Sequence, residues 1–481
     1  MMSAWFLGLW TLVGSLLPAS PWQDWALWEL QARQALPLTA LPLRPFNLDE
    51  VTWKDSSSPW VRVLEDRLES WWQRGRKMVL RPYLHAQGDT LQWQEIYIWG
   101  TFRFTALTMD FSPMVRIGDA RGYPWSQWHG WLSGEFLTAV GTLAFPPLSV
   151  VIGRTPIQWG AGRTPLTFNT EAIPLDILMV RYRNSGFQAW FGVTALDPWR
   201  VREEDVMSQP SLTVGDWVQR YLSFHRLEFF LLQDRLKVGL SENILYGGVH
   251  ALPQPHYLNP FYFFYLGWLN RGGGVQENVS FDVDLHYRFG SQTLVFGEFY
   301  LDDVQYEPPS TKEPHQIGFQ IGAVHARGPW FFYMTYTRVN AWTYLHEGNW
   351  QDWIAYRTPL GHPYGPDFDE VFLRGTRHLT QTWDLSVEFA YRRKGENTIS
   401  TPWPIGQGGW DAFPPGSAFL WGTVEYRTRV VAEVQGFTPG FHLLFRVGVD
   451  DLRNAGHRAR KHRRIPWAYV EARVPFRWRS K

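Results

Sequence analysis

The segment Phe281–Phe289 reads Phe-Asp-Val-Asp-Leu-His-Tyr-Arg-Phe, apolar at every odd position and polar or charged at every even one. Only a β-strand, with its two-residue period, sorts those two sets onto opposite faces. Asp282, Asp284, His286 and Arg288 then share one face, and a large aromatic-rich set shares the other. No run nearby matches that apolar face as a second sheet layer, so the pattern is that of a strand between lipid and a wet interior. A one-residue slip would move the charged set into lipid, where a single midplane Arg costs roughly 2–4 kcal/mol. The pattern returns in Trp383–Arg392, in Thr423–Gln435 and in Phe441–Asp450. Gln292–Leu301 is less clean, and Glu298 there places Leu294, Phe296 and Tyr300 on its own side.

The 29 Trp, 20 Tyr and 32 Phe of the 481 residues coexist with a mean hydropathy of −0.28. Amphipathic strands edged by interfacial aromatics account for both facts. Trp217, Trp330, Trp421 and Trp467 near strand ends read as such anchors. The competing reading is a large soluble β-sandwich or propeller with an aromatic core. A net charge of +1 speaks against a nucleic-acid partner, and the absence of cysteine excludes disulfide and thiolate chemistry.

The N-terminus reads as an export signal. Ala4–Leu17 is apolar but too short to span a bilayer, and Pro18-Ala19-Ser20 follows, so cleavage is expected after Ala19. Helices come next. Trp22, Trp25, Trp28, Ala32 and Leu36 recur at helical spacing; Asn47 with Glu50 marks a short capped turn. Ser58-Pro59 caps a helix whose stripe is Trp60, Val61, Leu64, Leu68, Trp71 and Trp72, ending at Gly75. Such short helices cannot bury their stripes alone and need the end of a barrel. The expected organisation is a signal peptide over 1–19, a helical periplasmic plug over 20–76 and an outer-membrane barrel over 77–481.

From Lys77 onward, turn residues separate about 18 strands, with short and long connections alternating. Gly436–Gly440 and Gly290–Ser291 are tight, whereas Lys394–Ser417, Tyr344–Pro366 and Tyr246–Asn278 are long. The fold class is therefore all-β: a transmembrane antiparallel β-barrel with short periplasmic turns and long extracellular loops. Strand boundaries are least defined around Asp89–Gly118.

Catalytic signatures are lacking. His346-Glu347 has no second His four residues on, and Gly239-Leu-Ser241-Glu-Asn243 ends in Asn where a nucleophile elbow needs Gly. No P-loop or dinucleotide fingerprint occurs, and the chain reads as neither an enzyme nor a carrier of metal or cofactor.

Several phrases are more particular. In order they are Gly153-Arg154 leading to Trp159-Gly160-Ala-Gly162-Arg163; Arg220-Tyr221 through Glu228; Gly239–Gly247; Tyr257-Leu-Asn259-Pro260; Gln276-Glu277-Asn278; Gly297-Glu298 through Asp302-Asp303; Tyr336 through His346; and Leu360-Gly-His362 through Asp367. This ordered set resembles the Wzi-type capsule-assembly outer-membrane proteins, over Trp22 to about Asp367. The resemblance implies an 18-stranded barrel closed below by helices, with surface loops that bind capsular polysaccharide as a lectin. The alternative class is an outer-membrane porin or transport channel.

Under that reading Trp159, Tyr257 and Trp342 offer flat faces to sugar rings, while Asp, Asn, Glu and Arg fix hydroxyls or carboxylates. The glycan-binding candidates are Arg154, Trp159, Arg163, Glu242, Tyr257, Asn259, Asn278, Asp302, Asp303, His346, His362 and Asp367. Strand-borne charges such as Arg154, Arg220, Glu242 and Glu298 are open to a second reading, as lumenal ion-pair ladders. The run Asn454–Arg464 adds Arg460, Lys461, Arg463 and Arg464 as a basic extracellular loop for polyanions. Expected partners are outer-membrane lipid and lipopolysaccharide, capsular or other surface polysaccharide, and the barrel-assembly machinery.

Overall fold

The computed structural model describes residues 21–36, 38, 58–72, 77–87, 90–103, 106–117, 132–169, 173–270, 277–303, 313–404, 413, 416–438 and 441–477. The expected signal segment and the Asn47–Glu50 turn lie outside these residues. One antiparallel sheet holds 19 strands. One of them is the two-residue piece Trp199–Arg200. The others run from Lys77–Gln87 to His462–Arg477, each paired with the strand before and after it in the chain. Lys77–Gln87 pairs with the last strand as well as the second, matching Lys77 to Arg477 and Gln87 to Trp467. Short links join the strands at one end, as at 146–147, 232–235, 290–292 and 328–329; the long connections that leave Thr155, Val249 and Val339 start from the other.

The sheet is inside-out relative to a soluble protein. Asp282, Asp284, His286 and Arg288 are 1%, 0%, 1% and 3% exposed, whereas Val283, Leu285 and Phe289 are 40%, 46% and 68% exposed. Trp383, Leu385, Val387, Phe389 and Tyr391 likewise face outward. Leu294, Phe296, Glu298 and Tyr300 are all buried while Val295 and Phe299 face out, so Glu298 marks the lumenal side of that strand. One aromatic departs from expectation: Trp467 sits opposite Gly448 on the lumenal face, and a Cβ at residue 448 would lie 2.5 Å from its ring.

Inside, charge is answered by charge. The Arg226 guanidinium donates to Glu228 Oε1 (3.1 Å), Ser241 Oγ (2.9 Å) and Asp284 Oδ2. Lys237 Nζ lies 3.1 Å from Glu228 and 3.3 Å from Asp284. Register explains the convergence, since Ser241 is opposite both Arg226 and Asp282, and Gly239 is opposite both Glu228 and Asp284. A Cβ at residue 239 would lie 2.1 Å from Arg226 Nη2; glycine there leaves the bridge its path.

Two helices, α1 (Pro21–Ala32) and α2 (Pro59–Trp72), pack at the short-turn end. Val61, Leu64 and Leu68 of α2 bury against Ala26, Leu27 and Leu30 of α1 and against Phe437. On its other side α1 enters the lumen, with Trp25 meeting Tyr333 (4.9 Å between centroids) and Trp28 meeting Phe296 (5.1 Å). Polar ties hold the helices to the turns. Arg33 donates to Gly328 O and Gln34 to Gly290 O. His378 bridges Glu29 of α1 (2.9 Å) and Asp384 (2.8 Å), and Asp384 accepts from Arg67 of α2 (2.6 Å).

The inverted burial predicts unequal costs for an arginine introduced at two exposed positions. Leu285→Arg should destabilise the barrel by about 2–4 kcal/mol in lipid, whereas Phe261→Arg, at a long-link position 94% exposed, should be near neutral. Urea unfolding in vesicles with heat-modifiable gel mobility checks this; equal costs would contradict a lipid-facing belt.

Candidate functional site

The link after Leu148–Thr155 turns into the lumen. Ala161 and Leu166 donate backbone N–H groups to the two Glu298 oxygens (3.0 and 2.8 Å), and Gln320 donates to Ala161 O (2.8 Å). Gly160 has φ +119, and a Cβ there would lie 2.1 Å from Glu298 Oε1. The Trp-Gly-Ala-Gly phrase is thus a clamp on Glu298. Trp159 is 0% exposed, its edges and faces taken by Phe168 and Phe224, so its ring cannot serve as a sugar platform. Arg163 remains on the lumen, its guanidinium over Trp25 and Phe372.

Other sequence candidates are structural for the same reason. Tyr257 is fully buried against Tyr246 and Phe264. Glu242 is spent on the N–H groups of Phe264 and Tyr265 and on His225 (2.6 Å). Asp367, with φ +63, accepts from the N–H groups of Asn397 (3.2 Å) and Trp421 (3.3 Å), tying two long links together. Arg154 is not in a lumenal ladder: it pairs with Glu135 (2.8 Å) and with Asp176 (2.5 Å), which shares the outward face of its strand with Leu178 and Val180. Arg220 does pair with a carboxylate, Asp197 at 3.4 Å, and also reaches across to the carbonyls of Asp352 (3.1 Å) and Ile354 (2.8 Å). Trp342 is also buried, against Trp403 and Phe413.

The link 340–367 packs Trp350, Trp353 and Leu360 onto Trp159 and Phe168 in one core. Burial pushes the Asp352 carboxyl well above its ordinary range, although it accepts the His346 N–H (2.9 Å). Burial, assisted by Arg392 and Arg163, pushes His362 down to about 3.

Four candidates do converge. Asn278, Asp302, Asp303 and His346 line one cavity of about 210 Å³ at the long-link end, with Tyr265, Glu277, Glu313, Glu347 and Trp403. Asn278 Nδ2 donates to Gln351 O (3.1 Å), and Asp302 Oδ2 accepts the Tyr344 N–H (2.6 Å). The His346 ring stacks on Trp403 at 6.4 Å. Carboxylates predominate, which suits hydroxyl or ammonium donors. Trp403 escaped the sequence reading; its only signal is a ring between two prolines, Pro402 and Pro404, inside a long loop. Asn259 is exposed elsewhere on the same end, holding the Phe261 N–H (3.0 Å).

The basic run is a hairpin. Strands end at Arg453 and resume at His462, so Arg463 and Arg464 are strand residues opposite Leu452 and Asp451. Arg458, Arg460, Lys461, Arg463 and Arg464 are all exposed. Only Arg464 of these has an acidic partner within reach, Asp451 at 3.4 Å, among the described residues.

An inside-out antiparallel sheet with helices in one end and folded links in the other defines an outer-membrane-type β-barrel. The family model of the capsule assembly protein Wzi matches residues 136–435, and the chain belongs to that family. Among solved structures, the Escherichia coli outer-membrane protein Wzi, described as a carbohydrate-binding β-barrel involved in group 1 capsule assembly, aligns with a TM-score of 0.63 at 13% identity. That alignment covers 98% of this chain and 100% of that one. Pseudomonas aeruginosa OccD3 (OpdP) aligns at a TM-score of 0.49 and 8% identity over 84% of this chain and 91% of its own. A search of curated proteins by sequence found no match.

His362 makes link docking pH-dependent. A free imidazole titrates near ~6.5, above the folded value, so the undocked link takes up a proton that the docked link refuses. Docking is complete above that pH and is lost progressively as pH falls toward 3. Hydrogen exchange at Tyr364 and Gly365, corrected for intrinsic rate, should quicken by more than about tenfold from pH 7 to 5. His362→Gln should abolish that response.

Proposed function

We propose that this protein sits in the outer membrane with its long-link end outside the cell, and binds surface polysaccharide there during capsule attachment or assembly. The observation that carries this reading is the convergence of Asn278, Asp302, Asp303 and His346 with Trp403 in one cavity at that end. Trp403, packed on Trp342 and Phe413 and 9% exposed, closes the cavity as an apolar wall, and the carboxylates beside it are acceptors for sugar hydroxyls. Family membership supports the same conclusion. The exposed basic hairpin supplies a second contact, for acidic residues of the polymer. The protein works by binding, not by catalysis, with α1 and α2 as a periplasmic plug.

A polysaccharide array with the purified barrel tests the reading. Trp403→Ala should weaken polymer binding about tenfold or more, roughly 1.4 kcal/mol, with heat-modifiable mobility retained. Unchanged binding would remove the cavity from the site. Replacing Arg460, Lys461, Arg463 and Arg464 with Gln should flatten the salt dependence of binding, because exposed charges are screened over about 8–10 Å. An unchanged slope would leave the hairpin merely solvated.

The plug has its own readout. Deleting residues 20–76 should raise single-channel conductance in planar bilayers. High conductance in the intact protein would favour a transport channel instead.

A further inference from the structure

The lumen is not filled evenly. Around Arg226 it is packed solid, but between α1 and the strands from Phe368–His378 to His462–Arg477 it keeps a cavity of about 470 Å³. That volume is within the range of small-ligand pockets, roughly 300–1,000 Å³. Six arginines and five carboxylates line it.

Their pairing divides the cavity in two. Towards the short-turn end the charges cancel: Glu388 and Glu433 are shared by Arg374 and Arg446, and Glu471 holds Arg473. Towards the long-link end they do not. Arg427 and Arg429 share the single carboxylate of Asp450 (2.5 and 2.6 Å). Arg392 has no hydrogen bond or ion pair among the described residues; it lies flat over Tyr364 at 3.9 Å, and its Nε is buried without a partner. Glu370, opposite Arg392 in register, is not within ion-pair distance of it. Arg392, Arg427 and Arg429 there face Asp450 and Glu370, a surplus of one positive charge inside a low-dielectric wall. Water reaches it, since Arg427 and Arg429 keep 25% and 37% side-chain exposure.

We propose that the long-link end of this lumenal cavity is a binding site for a carboxylate-bearing sugar, a hexuronate or the uronate end of a short saccharide. The acid takes the unused N–H edge of Arg392 with Arg427 or Arg429 as a second donor, the fork geometry that guanidinium offers to carboxylate. Tyr364 backs the Arg392 guanidinium, Trp467 lines the wall beside Arg429 as an apolar border for the ring, and Glu370 accepts hydrogen bonds from its hydroxyls. This site is separate from the Trp403 cavity and does not depend on that reading.

Titration calorimetry on the full chain in detergent, with D-galacturonate, D-galactose, acetate and inorganic phosphate, tests it. Galacturonate should bind at least tenfold more tightly than galactose or acetate, because charge and ring are both read. Arg392→Gln should cost tenfold or more in galacturonate affinity, and Tyr364→Leu, which removes the ring under Arg392, should weaken it too, both with heat-modifiable mobility intact. Phe261→Arg, at an exposed position on a long link outside both cavities, should leave it unchanged. Phosphate binding as tightly as galacturonate would overturn the sugar assignment. Failure of galacturonate to bind the intact protein at millimolar concentration, or Arg392→Gln binding as wild type, would overturn the site. Loss with Trp403→Ala but not with Arg392→Gln would place the acid in the outer cavity, leaving the surface reading standing and this one fallen.

Discussion

Arg226 has no solvent exposure, and it is tolerable there only because Glu228, Asp284 and Ser241 reach it together. Burying an uncompensated charge costs several kcal/mol. A barrel whose outer face is given over to lipid has no other place for its charges, so each must be answered across the lumen. That requirement sets strand register, since a slip of one residue would both strand Arg226 and expose Asp284 to lipid. It also dictates small residues at crossing points: Gly239 is where the Arg226–Asp284 bridge passes.

The same requirement explains how the lumen is filled. Glu298 does not end in an ion pair; it receives two backbone N–H groups from the link 156–174, and the link is thereby drawn inside. Once there, Trp159 and Phe168 supply an apolar floor on which Trp350 and Trp353 of a second link settle. From the opposite end α1 inserts Trp25 and Trp28. One side of the barrel thus acquires a dry core, as a soluble domain would. The other side, from Phe368 onward, keeps its arginine ladder wet and its cavity open.

Part of the binding chemistry was legible in the residues and part was not. Asn278, Asp302, Asp303 and His346 come from three separate segments yet meet, because the strands carrying the first three are neighbours and the link from 340 folds back over them. Trp159, Tyr257, His362 and Asp367 were nominated by chemistry alike in kind, and they are buried supports. Nothing in a loop sequence distinguishes a tryptophan offered to solvent from one folded under a neighbouring loop; that depends on distant residues such as Phe224 and Trp353. Arg154 differs for another reason: strand parity near a rim does not say whether an outward charge is above the lipid, where Glu135 and Asp176 can hold it.

The two-residue period, the parity of short and long links and the helical stripes of Trp25, Trp28, Leu64 and Leu68 are local, and the sequence alone determined them. From these follow the antiparallel barrel of about 18 strands, its lipid-facing side and the helices' need of a partner surface. Tertiary structure alone decided which charges cancel, which links turn inward and where space remains. Those outcomes depend on side chains more than a hundred residues apart, such as His378 with Glu29 or Arg163 with Trp25. No periodicity within a strand encodes what stands across the lumen.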